Sequence, residues 1–88
     1  MRDRVIPSLG MPKFQIDQRV RFARMPPWVQ QLAPDSQRVF EFCLGKIYRI
    51  DEIDENGLHV LDVSADVDPV FGGFMNDIRV EGEFLDES

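Results

Sequence analysis

Eighty-eight residues with 43% hydrophobic and 30% charged side chains make one folded globular domain, since two would leave each half too short to bury a core. The single cysteine, Cys43, excludes an internal disulfide, and with His59 as its only histidine companion it cannot complete the closed ligand set of structural zinc. The net charge of −6 is unevenly divided: residues 1–49 carry nine Lys or Arg against four acids, and residues 50–88 carry one against twelve.

Residues 1–12 mix Pro7, Ser8, Gly10 and Pro12 with scattered charges and show no period, which predicts a flexible leader. No run approaches the roughly 18 apolar residues of a membrane span, and the first ten residues lack the apolar stretch of a signal peptide, so a cytoplasmic protein is expected. From Phe14 the apolar side chains Phe14, Ile16, Val20 and Phe22 alternate with polar ones, predicting a first strand over about residues 14–24. Pro26 and Pro27 end it, and Pro27 suits the first position of a short helical turn through Trp28 to Leu32. Val39, Phe40, Cys43 and Leu44 then fall at helical spacing behind Asp35 or Ser36 as a cap, with Gly45 placed to stop a helix over residues 36–44. Phe40, Phe42 and Leu44 also alternate, so a strand is the competing reading.

Residues 46–54 and 58–63 read as two antiparallel strands joined at Asn56-Gly57, a pair suited to the two left-handed positions of a type I′ turn. Residues 64–69 read as a polar loop, Phe71-Gly72-Gly73-Phe74 as a second loop, and Ile78, Val80 and Phe84 as a closing strand, with residues 86–88 fraying. Short strands around one helix predict a mainly β chain, in which residues 13–85 form a small, partly open barrel that leaves little exposed sheet edge. The segment Ile16-Asp17-Gln18-Arg19-Val20-Arg21-Phe22, with the hairpin across Asn56-Gly57 and the strand at Ile78 to Val80, resembles the SH3-like small β-barrel superfamily, including KOW domains and the barrel of nitrile hydratase beta subunits. That resemblance implies a barrel with one short inserted helix. It implies no single function, because such barrels serve protein-binding, RNA-binding and structural roles.

Catalytic groups are sparse. His59 alternates with Leu61 and Val63 on a predicted strand, and Cys43 sits on an apolar stripe where a thiol behaves as a small hydrophobe. Asp62, Ser64, Asp66 and Asp68 alternate like calcium ligands, but Val67 stands where the loop wants glycine and Gly73 where it wants glutamate, so a solvated acidic loop is expected. An enzyme, a cofactor and a metal are therefore not expected.

Arg19, Arg21, Arg24 and Lys46 could contact phosphates, but the acidic total weakens a nucleic-acid role. Trp28 and Met25 beside Pro26 and Pro27, and Phe71, Phe74 and Met75 around the paired glycines, have the composition of contact surfaces, or alternatively of plugs that complete a small core. The sequence thus points to a non-catalytic module that binds another protein through Met25, Trp28, Phe74 and Met75. A nucleic-acid or ribonucleoprotein accessory domain using the basic first strand is the alternative.

Overall fold

A computed structural model describes residues 13–73 and 76–88; the expected leader and the pair Phe74 and Met75 lie outside the described residues. Five strands, β1 Arg19–Phe22, β2 Ile47–Ile53, β3 His59–Asp62, β4 Asp77–Val80 and β5 Leu85–Glu87, form an antiparallel sheet in the order β4-β3-β2-β1-β5. Two helices, α1 Pro34–Cys43 and α2 Ser64–Phe71, and two 3-10 turns, Pro27–Gln31 and Gly82–Phe84, complete the described chain.

This corrects the predicted class. The chain is mixed α/β with an open sheet, neither mainly β nor an SH3-like closed or partly open barrel, because β4 and β5 end the sheet and do not pair with each other. The second helix is the larger surprise. Residues 64–69 look like a loop because Pro69 and two acids interrupt them, yet in a helix Val63 and Val67 lie one turn apart, and both are buried. Pro69 removes only one intrahelical donor close to the helix end, a loss the packing of Val67 offsets.

The first strand is shorter than residues 14–24. Asp17 takes a left-handed φ of 73°, so the chain turns before the ladder begins; Phe14 is buried on the near side of the turn while Ile16 is 54% exposed. Alternation continues through such a turn undetected, because it records spacing and not direction. Within β1 the pattern holds: Val20 and Phe22 are fully buried, and Arg19 and Arg21 face water. β2 serves two neighbours, its first half pairing with β1 and its second with β3, and the register shifts by a bulge between Ile50 and Glu52. Bulges strengthen local twist, which lets one strand belong to both halves of the sheet.

The hairpin of β2 and β3 forms as predicted, but through a different turn. Gly57 alone is left-handed, at φ 81°, and the Gly57 N–H donates to the Asp54 carbonyl. The Asp54 carboxylate accepts from the N–H groups of both Asn56 and Leu58, each at 2.9 Å. The loop is therefore a type I turn followed by a glycine bulge, organised by Asp54. α1 confirms the helical spacing, starting at Pro34 and stopping before Gly45. At the C-terminal end Leu85, Asp86 and Glu87 pair with Phe22, Arg21 and Val20, and Ser88 follows outside the strand.

The core lies between the inner sheet face and the two helices. Val20, Phe22, Ile50, Leu61, Val67 and Leu85 are fully buried there, each worth roughly 1.5–3 kcal/mol of transfer from water.

Candidate interaction surfaces

Trp28 sits in the 3-10 turn Pro27–Gln31, where Pro27 provides the fixed φ of the first position. Its ring meets Phe40 of α1 edge to face with centroids 5.6 Å apart, and its Nε1–H donates to Glu81 Oε1 at 3.0 Å. Met25 and Trp28 are both half-buried against the core. They serve the fold first, and the described residues do not show them joined into one surface with Phe74 and Met75, which fall outside.

The basic candidates are drawn into local pairings. Arg24 is paired with Asp86 at 2.7 Å, and this hydrogen bond holds the Asp86 carboxyl below the ordinary carboxylate range. Arg21 Nη1 donates to the Gly45 carbonyl at 2.7 Å. Lys46 Nζ lies 3.3 Å from the centroid of the Phe42 ring. Arg19 faces Arg49 directly across β1 and β2, and Arg49 in turn approaches Asp17 and Asp51 at 3.8 and 3.6 Å. The basic half of the chain thus supplies β1 and the start of β2, and the acidic half supplies the rest of β2 with β3, β4 and β5, so the two charge blocks partly neutralise one another.

A surface that the sequence marked only at Phe71 lies between the helices. Val39 of α1 and Val70 and Phe71 of α2 line a groove of about 460 Å³ whose rim carries Asp35, Ser36, Arg38 and Asn76. Val70 is 60% and Phe71 39% exposed. Phe71 is held edge to face against Phe42, with centroids 5.4 Å apart. Asp35 and Arg38 pair one turn apart on α1. The signal was present as Val70-Phe71, but it becomes a surface only once residues 64–71 are recognised as a helix.

The remaining reactive groups are committed to the interior. Cys43 is fully buried, and burial raises its thiol pKa. Burial also raises the Tyr48 hydroxyl far above its usual range, with the Cys43 thiol nearby reinforcing the shift. That hydroxyl has no hydrogen-bond partner of good geometry among the described residues. His59 is 1% exposed and bonded through both ring nitrogens. Asp62 accepts from the Ser64 N–H and hydroxyl at 3.1 and 2.7 Å, and Asp68 accepts from Asn76, so the alternating acids organise the two ends of α2. Among the described residues no group of three or more His, Cys, Asp or Glu is disposed to hold a metal ion, and no helix is long and apolar enough to cross a membrane. No protein-family model matches the chain, and no curated protein or solved structure matches it either.

Proposed function

We propose that the chain is a small cytoplasmic interaction module that binds another protein through the groove between α1 and α2. The observation that carries this reading is the exposure of Val70 beside Phe71, whose ring stays open to water although one edge meets Phe42, with Val39 beside them and charged or polar groups at the rim. An apolar centre with a polar rim is the anatomy of a protein contact site. Trp28 supports the module as a buttress of α1, and Met25 packs against the core. The nucleic-acid alternative has less support, since Arg24 and Lys46 are engaged by Asp86 and Phe42.

The test is capture by the immobilised chain, followed by calorimetry with each purified partner. Val70→Asp should weaken binding by about tenfold or more, equivalent to roughly 1.4 kcal/mol, while Trp28→Phe binds as the parent does. Unchanged affinity of Val70→Asp for every captured protein would remove the groove as the binding face.

A further inference from the structure

His59 lies at the start of β3 with its ring enclosed, opposite Ile53 of β2 and Val80 of β4. Its Nδ1 is 3.3 Å from the Val80 carbonyl oxygen, which can only accept, so Nδ1 carries the proton. Nε2 is then a bare acceptor, and it receives the backbone N–H of Phe14 at 3.1 Å. The two hydrogen bonds fix one tautomer of a neutral ring. Phe14 stands edge to face on the same imidazole with centroids 5.8 Å apart, and Phe14 itself is 4% exposed. Gly82 closes the remaining side: a Cβ there would lie 3.0 Å from the imidazole Cε1 and 2.6 Å from the Lys13 Cβ.

We propose that His59 is an acid-operated latch on residues 13–16, holding them over the core while neutral and releasing them when protonated. An imidazolium has an N–H at both nitrogens, so Nε2–H and the Phe14 N–H would become two donors aimed at one another. Beyond the Val80 carbonyl, which serves Nδ1 in either state, no neighbouring element among the described residues offers Nε2 relief. The charged group acting on the ring is Lys13, whose like charge opposes a second cation. On β4 and the β2 turn, Arg79 and Asp54 are turned toward each other at 3.4 Å, and Glu81 is held by Trp28. β2 presents the apolar Ile53, and the turn after β4 presents Gly82.

The opening is local because the chain is fastened again immediately downstream. The Asp17 N–H donates to the Ile50 carbonyl at 2.7 Å, and the Ile50 N–H donates to the Gln18 carbonyl at 2.9 Å. The left-handed turn at Asp17 is therefore the hinge, with the sheet intact beyond it. Release brings a large apolar side chain, Phe14, out of the core into water, where it becomes a contact group present only in acid.

The direction of the pH effect follows from the two states. Burial, with Lys13 adding to it, lowers the His59 pKa in the closed state below its ordinary value. Closing therefore expels a proton. The closed arm is fully favoured above an open-state pKa of about 6.5, and it loses ground as the pH falls from there through the depressed closed-state value.

The experiment is an NMR titration of the full chain from neutral to acid pH. As the His59 ring titrates, the Phe14–His59 NOEs should disappear and the heteronuclear NOEs of residues 14–16 should fall, while the amides of Val20, Ile50 and Leu61 keep their dispersion. His59→Gln supplies an acceptor and a donor without a titrating group, so its arm should stay closed over the same range. The proposal is overturned if His59 titrates with the Phe14 contacts intact, if the sheet amides collapse together with the arm, or if His59→Gln shows the same acid transition. Should His59→Gln fail to fold, the parent titration decides alone between these outcomes.

Discussion

The Trp28 indole and the Glu81 carboxylate, 53 positions apart in sequence, are joined by one hydrogen bond. With the other side of the ring on Phe40, Trp28 ties α1 to the turn that leads into β5. An exposed contact residue has no such ties. A fully buried plug would show less of its ring to water.

Trp28→Ala should therefore cost about 2 kcal/mol, below the ~3–5 kcal/mol of a fully enclosed large aromatic. Urea unfolding measures the cost, and Trp28 as the only indole reports the transition in the parent chain. Its emission should be intermediate in wavelength and only partly quenched by acrylamide. Trp28→Phe, which retains an aromatic contact but no donor for Glu81, should recover more than half of the loss.

Gly57 is the one residue of its turn that needs a left-handed backbone. Gly57→Val places a β-branched side chain there and should destabilise by about 1–3 kcal/mol in urea unfolding. Asn56→Ala should be mild by comparison, because Asn56 contributes its backbone N–H to Asp54 and does not adopt positive φ.

Tyr48→Phe should be neutral or stabilising by up to about 1 kcal/mol. The hydroxyl is buried without a good partner among the described residues, and deleting an unsatisfied buried polar group removes its desolvation cost. A thermal melt of the two proteins side by side checks this. A clear loss of stability would mean that the hydroxyl is bonded in solution, to the Cys43 thiol or the Asp66 carboxylate beside it.

Asp54 gives the chain an acid-sensitive turn. The Leu58 N–H, helped by the Asn56 N–H and Arg79, lowers the Asp54 pKa, so the folded state binds a proton less readily than the unfolded chain. Its contribution is present above the unfolded pKa of about 3.9 and is lost as the pH falls through the depressed folded value. Asp54→Asn should have a lower Tm than the parent at pH 6, and the gap between them should narrow as the pH approaches 3.

The local chemistry was readable from sequence where one residue type has one strong reason to be where it is. Pro27 started a helical turn, Gly45 stopped a helix, and alternation put Val20 and Phe22 inside. What escaped depended on contacts between distant segments. α2 is stabilised by Val67 reaching the core, a tertiary gain that outweighs Pro69, and nothing local reports it. The same blindness hid the groove, which requires α1 and α2 to be neighbours, and the His59 contact, which joins residues 45 apart. The openness of the sheet is of this kind too, since it depends on whether the two outer strands meet.

The position of β1 between β2 and β5 also bears on how fast the chain can fold. Val20 has Tyr48 on one side and Glu87 on the other, so its second neighbour comes from almost the far end of the chain. The β2–β3 hairpin can close early across a three-residue loop, but the β1–β5 pairing must bring together segments that nearly all the intervening sequence separates. Such distant pairings place a chain among slower small-domain folders, on a timescale of roughly milliseconds to seconds. Until β5 docks, Val20 and Phe22 lie on an unguarded edge, and the shortest strand of the sheet is the one that removes it.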